Sequence, residues 1–223
     1  MLTMNAVLRT PIGDLLLIAC EQGLVAIEFT EVSDDKNLEL SRVKLHDLTK
    51  VPSRPESQAD QHVTASDAQP TQLLLPVSAN GINACKIIQQ PSAQTTSHTT
   101  HEFIVKTSEV LSQGLTQLTE YFEKGRREFD LPLAASGSQF QQQVWQQLQQ
   151  IPYGKFCSYG DIASSIARPK AVRAVGAANG RNPLAIVVPC HRVIGQNGSM
   201  TGYAGGLTRK IWLLAHEQNT NLR

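Results

Sequence analysis

Apolar and polar positions run in blocks along this chain, and the blocks predict its elements. "DLLLIACEQGLVAIEF", Asp14 to Phe29, is two apolar runs around Glu21-Gln22-Gly23, the pattern of a β-hairpin closed by a short glycine-containing loop. From about residue 45 to 102 the pattern fails: Ser, Thr, Gln, Pro and Ala dominate and aromatic residues nearly vanish. Such a stretch buries too little apolar surface to offset its ordering entropy, so a largely disordered insertion is expected. Within it, "LLLPVSANGINACKII" is the place for a short strand or a packed segment. Further on, Val110, Leu111, Leu115, Leu118, Tyr121 and Phe122 fall at helical spacing, with Ser108 as N-cap and Gly125 as the stop. Phe140, Val144, Leu148 and Ile151 form a second helical stripe, opened by Ser138 and ended by Pro152. Its many glutamines read as the solvated face of an ordinary helix, since Gln is a good helix former.

"SYGDIASSIARPKAVRAVGAANGRNP" follows. Ser158 caps a short helix to about Ile166, Arg168-Pro169 makes a turn, and Lys170 to about Ala178 is a second short helix carrying Lys170 and Arg173 one turn apart. Helix, tight turn and small-residue helix is the helix-turn-helix pattern. Ala171, Ala174, Gly176 and Ala177 allow a close neighbour, either another helix or DNA. "NPLAIVVPCHRVIG" reads as a buried strand with a Cys-His turn at its end. A glycine-rich loop, Gly202 to Gly206, leads into a last helix with Ile211, Leu214 and Ala215 on its apolar stripe and His216 and Glu217 at its end. The expected class is α/β, of the α+β kind. A small antiparallel-sheet domain spans 1–130 and carries the insertion, and a mainly helical domain with the helix-turn-helix spans 131–223.

Charge sharpens this picture. The 223 residues carry a net +1, but residues 151–223 hold nine Lys/Arg against only Asp161 and Glu217, a net +7, and residues 1–150 carry −6. A basic C-terminal third fits a polyanion partner, or simply a solvated basic surface. The apolar run Leu15–Ala19 is too short for a signal-peptide core or a membrane span. The four cysteines, Cys20, Cys85, Cys157 and Cys190, have no CxxC spacing, so neither a zinc site nor a disulfide framework is indicated. Free thiols in a reducing compartment are expected, with no metal and no cofactor.

Cys190-His191 is the candidate chemistry. A thiol becomes a nucleophile only as thiolate, so its proton must have somewhere to go. His191 is the adjacent base, and a histidine acts as a base when its other nitrogen is held by a carboxylate. Glu217 is the acid at hand, because it and Asp161 are the only ones after Asp130. Adjacent side chains can point apart, and a bridging water would then carry the proton. A buried cysteine beside a histidine is more often packing than catalysis, the reading that suits Cys20, Cys85 and Cys157. A nucleophilic cysteine beside a helix-turn-helix needs an electrophile carried by DNA, and alkylated bases are such electrophiles.

"PCHRV" at Pro189–Val193 resembles the active-site signature of the O6-alkylguanine-DNA alkyltransferases, the methylated-DNA–protein-cysteine methyltransferases. "SYGDIA", "KAVRAVGAANGRNP", "IVVPCHRVIG", "TGYAGG" and "RKIWLLAHE" resemble the family in its order, closely over about Ser138 to Glu217. The hairpin and the helix near Ser108–Lys124 are similar to its smaller, ribonuclease H-like domain with less specificity. The resemblance implies that Cys190 takes an alkyl group from the O6 of guanine in double-stranded DNA, irreversibly and once, with O4-alkylthymine left open as a further substrate. It implies that His191 accepts the thiol proton through water, that Glu217 polarises His191, and that Asn182 braces the active-site loop. Tyr159 would help to rotate the nucleotide out and donate to the leaving group. Arg173 would fill the vacated stack, with Arg168, Lys170 and Gly160 also at the DNA. Val193, Tyr203 and Ala204 would form the base pocket.

A cytoplasmic monomer with no membrane partner is expected. Departures are the insertion, Ala204 where some relatives carry serine, and Gly160 where others carry larger residues. No N-terminal cysteine cluster resembles the zinc-bearing domain of the adaptive-response relatives. Alternatives on the residues are an alkyltransferase-like damage-binding protein, against which Cys190 stands, a helix-turn-helix regulator with a structural cysteine, and a cysteine hydrolase.

Overall fold

A computed structural model describes residues 2–30, 85–86 and 97–219. Most of the predicted insertion at about 45–102 lies outside the described residues. The antiparallel hairpin is present as β2, Leu15–Cys20, and β3, Gly23–Phe29, with a bulge between Ile18 and Ala19. A strand the sequence reading missed, β1, Met4–Leu8, pairs with β2 on its other side. The two-residue β4, Cys85–Lys86, within the segment expected to hold a short strand, pairs antiparallel with β1. The sheet order is β3-β2-β1-β4. Along β1 and β2 buried and half-buried residues alternate, so one face carries Met4, Ala6, Leu8, Leu15, Leu17 and Ala19 into the core.

α1, Ser97–Glu123, covers that face with Val110, Leu111, Leu115, Leu118 and Tyr121, all buried, and Gly114 lies close to Leu17 and Leu24. The helix begins eleven residues before the expected N-cap. Ser108 lies inside it, its hydroxyl 4.0 Å from the Met4 sulfur.

The free edge of β3 does not face water. Leu24 donates to the Pro132 carbonyl at 2.8 Å and accepts from Ala134 at 2.8 Å. Three residues on, Ile27 donates to Pro183 at 2.7 Å and accepts from Ala185 at 3.0 Å. Two irregular segments thus complete one sheet edge. The second of them runs into Cys190.

α2, Gln139–Gln149, starts at Ser138 with a reciprocal capping box to Gln141, and buries Val144, Trp145 and Leu148. β5, Cys157–Ser158, leads into α3, Tyr159–Ser165, where Ser158 and Asp161 form a second capping box. α4 spans Val172–Gly180, later than expected, so Lys170 stands in the turn rather than one helical turn before Arg173. α3, the turn and α4 form the expected helix-turn-helix, seated on α2 in part by the Trp145 indole donating to Ala178 at 2.9 Å.

The predicted strand through "LAIVVPC" is a correction. The segment is buried but coiled: Val187 donates to Ala185 and Val188 to Leu184, and Ile186 sits at φ +71°. Only Leu184 makes an isolated bridge, to Ile27. A 3-10 turn, Cys190–Arg192, follows, and then β6, Val193–Ile194, parallel to β5. α5, Leu207–Asn219, closes the described chain. Among the described residues no helix is long and apolar enough to cross a membrane.

α3 ends in an unusual way. Arg168 N–H reaches back to Ala163 at 2.8 Å and Ala167 takes the left-handed position at φ +57°, where glycine is normal. Ala167→Gly is expected to raise unfolding free energy by about 0.5–1 kcal/mol, the relieved left-handed strain less the entropy of a freer unfolded chain. Urea unfolding checks this; an unchanged or lower midpoint would mean that Ala167 is not strained.

Candidate active site

Cys190 opens the 3-10 turn at the end of the buried coil and is 4% exposed. Asn182 holds this coil from inside. Its amide nitrogen lies 2.8 Å from the Val188 carbonyl and 3.1 Å from the Cys190 sulfur, and its oxygen accepts from Leu184 N–H at 3.1 Å. Asn179 of α4, which the sequence did not single out, donates to the Cys190 carbonyl at 3.3 Å. Burial pushes the Cys190 thiol up, while the Asn182 amide and then the nearby Lys210 ammonium act to lower it.

His191 and Glu217 meet as the sequence anticipated. His191 Nε2 lies 2.9 Å from Glu217 Oε1, both side chains fully buried. Burial alone would push the Glu217 carboxyl up, but His191 and Arg192 overcome it and hold the group well below the ordinary carboxylate range. An ionised carboxylate only accepts, so Nε2 carries the imidazole proton and Nδ1 presents a lone pair. Burial lowers the His191 pKa, which keeps the ring neutral near pH 7.

The sequence missed what else reaches Glu217. Oε1 also accepts from the Tyr121 hydroxyl at 2.9 Å and from Arg192 Nη2 at 2.9 Å. Oε2 accepts from Arg192 Nε at 2.9 Å and from Gly154 N–H at 3.0 Å. Arg192 further donates to the Ile151 carbonyl at 2.7 Å. Lys210 is buried too, its ammonium on the Val193 and Thr201 carbonyls at 2.6 and 2.8 Å, and burial brings its pKa down to about 8. Arg209 is buried over the Phe29 ring, 4.5 Å from its centroid, and donates to the carbonyls of Ile12 and Gly205. These three bases were counted as surface charge; they are internal fastenings.

A cleft of about 310 Å³ opens at Cys190. Tyr203, Ala204 and Gly205 line one part of it, Asn182 and Ala185 another, and Ile27 to Phe29 of the sheet edge a third. The Tyr203 hydroxyl is buried and has no hydrogen-bond partner among the described residues. Val193, expected in the pocket, is fully buried in β6 and does not line the cleft. Tyr159 opens α3, and its hydroxyl accepts from Thr201 at 3.1 Å. Gly160 follows it, half-buried. Arg168, Lys170 and Arg173 are exposed on the helix-turn-helix, with the Arg168 guanidinium 5.5 Å from the Phe140 ring centroid. Cys20 and Cys157 are free thiols, and burial pushes Cys157 up to about 11. Among the described residues no three His, Cys, Asp or Glu side chains gather as a metal-binding group.

Known proteins are similar to this chain in sequence and fold. The model of the 6-O-methylguanine DNA methyltransferase DNA-binding domain matches residues 139–219, and that of the ribonuclease-like domain matches residues 4–57. A Salmonella typhimurium methylated-DNA–protein-cysteine methyltransferase is 52% identical over 122 residues, 54% of this chain and 71% of that one. The chain belongs to the 6-O-methylguanine DNA methyltransferase family. A Shigella flexneri relative of the same name is 58% identical over 45% of this chain, a match spanning 60% of that protein's length. The crystal structure of the Mycobacterium tuberculosis O6-methylguanine methyltransferase superposes with a TM-score of 0.61 at 31% identity, covering 98% of this chain and 94% of that one. The methyltransferase family fold thus accounts for the small antiparallel sheet and the helical C-terminal domain alike.

The buried charges set a pH response. His191 and Glu217 both have folded pKa values below their unfolded ones. Their stabilisation is complete above the unfolded values, about 6.5 and 4.3, and is lost as pH falls through each toward the folded value. Stability is therefore expected to decline below about pH 6.5 and more steeply below about 4.3. Glu217→Gln should cost about 3–5 kcal/mol at pH 7, by leaving Arg192 without its counter-charge, and should flatten the lower limb. Urea midpoints at stepped pH test this; an equally steep limb in the variant would show that Glu217 is not ionised.

Proposed function

We propose that this protein repairs DNA by moving an alkyl group from the O6 of guanine onto the sulfur of Cys190, once per molecule. The observation that carries the reading is a buried cysteine at the wall of an open cleft, next in sequence to a histidine whose far nitrogen is tied to an ionised carboxylate. The names of the relatives support it, as does a crystal structure of Mycobacterium tuberculosis OGT in complex with DNA, 31% identical with a TM-score of 0.61.

The chemistry follows from the groups present. The target atom is inaccessible inside a duplex, so the nucleotide leaves the stack at a cost of a few kcal/mol. The exposed helix-turn-helix meets the DNA. Arg173 fills the vacated stack, Arg168 and Lys170 lie against the backbone, and Gly160 permits close approach. The base enters between Tyr203, Ala204 and Cys190, with Val193 behind the wall rather than in it. The thiol proton passes to Nδ1 of His191, through water if the two side chains do not meet, and Glu217 stabilises the imidazolium so formed. Sulfur attacks the alkyl carbon, the carbon–O6 bond breaks, and guanine leaves with the electron pair. Tyr159 donates to the departing ring, where a fixed donor lowers the barrier. Asn182 holds sulfur and coil in place throughout. The product is a thioether, and no group at the site is set to hydrolyse it. A free thiol nucleophile fits a protein working as a monomer in a reducing cytoplasm.

Incubation with a duplex containing one O6-methylguanine is expected to add the mass of one methyl group in place of a hydrogen, mapped to Cys190 and absent in Cys190→Ala. Tight lesion binding with unchanged mass would instead make the protein a damage sensor. Neither transfer nor lesion preference would leave a helix-turn-helix regulator.

A further inference from the structure

Thr201 lies in the loop between β6 and α5, exposed, and its hydroxyl donates to the Tyr159 phenol oxygen at 3.1 Å. Water would compete for such a bond if the loop could drift. It is pinned. The Thr201 carbonyl accepts from the buried Lys210 ammonium at 2.8 Å, and the same ammonium holds the Val193 carbonyl at 2.6 Å. Val193 pairs with Cys157, and Ile194 with Ser158, the residue that caps α3 and precedes Tyr159. Both partners of the exposed bond therefore hang from one two-strand ladder, with β6 buried and β5 half-buried. On its other side the Tyr159 ring faces Gly176 of α4, where an added Cβ would stand 3.8 Å from Cδ1 of the ring.

A phenol has one proton to give and can accept at its oxygen. With Thr201 donating into that oxygen, the Tyr159 proton is left for a third group. A hydroxyl that accepts a hydrogen bond also donates a stronger one.

We propose that Thr201 is a positioning residue for the transfer reaction, holding the Tyr159 phenol so that its proton is left for the guanine and strengthening that hydrogen bond as the guanine departs. This rests on the function proposed above. In the step concerned the sulfur–carbon bond forms, the carbon–O6 bond breaks, the electron pair goes to the guanine, and the thiol proton has left through His191. Tyr159 keeps its proton and shares it with the ring. Burial raises the Tyr159 pKa, the Thr201 hydrogen bond acts against that, and the charge of the Cys190 thiolate, when formed, adds to it.

Single-turnover methyl transfer, measured against DNA concentration, tests the role. Thr201→Val is expected to slow the saturated rate by roughly three- to tenfold, the worth of one neutral hydrogen bond, without changing the half-saturating DNA concentration. Thr201→Ser should restore the rate. In a Tyr159→Phe background Thr201→Val should produce no further loss, and in carbon-13 tyrosine NMR Tyr159 should titrate higher in Thr201→Val than in the wild type. An unchanged rate, an equal loss in the Phe background, or a failure of Ser to rescue would overturn the proposal. A wild-type protein that takes up no methyl group would overturn the functional reading and this role with it, and the NMR shift would then report only that the Thr201–Tyr159 bond exists.

Discussion

The Glu217 carboxylate, buried near the end of α5, is the constraint on which the site depends. An isolated charge there would be untenable, because desolvation of a carboxylate costs several kcal/mol even after relaxation. Five donor contacts make it tenable, from Tyr121, Gly154, His191 and two nitrogens of Arg192. The donors come from three parts of the chain: Tyr121 from α1, Gly154 from the loop after α2, and both His191 and Arg192 from the 3-10 turn. Satisfying one carboxylate thus fixes three segments around α5, and it fixes the imidazole of the residue that follows Cys190. Stability and chemistry here share the same atoms. Removing the charge for the sake of a simpler core would free His191 to take the other tautomer.

The second constraint is the edge of β3. An exposed strand edge invites pairing, and here the chain pairs it with itself twice, at Leu24 and at Ile27. The Ile27 contact explains a φ of +71° at Ile186, a position where a β-branched residue is a genuine outlier. The coil is locked to the sheet on one side and to Asn182 on the other, so the strain is held by contacts that also aim the cysteine. The small sheet is in this sense part of the site. Phe29 reaches the cleft wall, and an added Cβ on Gly205 would meet its ring at 2.6 Å.

What the sequence made legible was local. The N-caps at Ser138 and Ser158, the hairpin and the stripe of α5 announce themselves within a few residues. The first turns of α1 did not, because Phe103 and Ile104 are only half-buried and Val105 is exposed, so no apolar stripe forms before Val110. β1 is five residues long, and no element is read there from the sequence. The run "LAIVVPC" misled because β-branched residues read as strand wherever they are buried, and only the distant Ile27 decides that this one coils. Cys190, His191 and Glu217 could be joined on paper because acids are scarce after Asp130. Arg192, Arg209 and Lys210 could not be taken from the count of surface charge, since nothing local distinguishes a buried guanidinium from a solvated one. Their burial also reduces the basic face itself, which rests on Lys155, Arg168, Lys170, Arg173 and Arg181.

On the proposed function the protein is consumed by its own reaction, and the resting state of the thiol then matters as much as its activated state. A thiol kept protonated by burial is a poor target for oxidants and stray electrophiles, because thiolate is the reactive form. Cys190 is in that condition, 4% exposed and with its pKa pushed up. The neutral His191, next in sequence, carries a buried Nδ1 without a partner among the described residues, so on the proposed function a base is available without the thiolate being formed in advance. An alkylated base seated in the cleft would be the event that makes proton transfer worthwhile, since only then does sulfur have a carbon to attack. On the proposed function, burial of the nucleophile is thus a safeguard for a reagent that can be used once, and the fixed tautomer of His191 is what keeps that safeguard from costing reactivity.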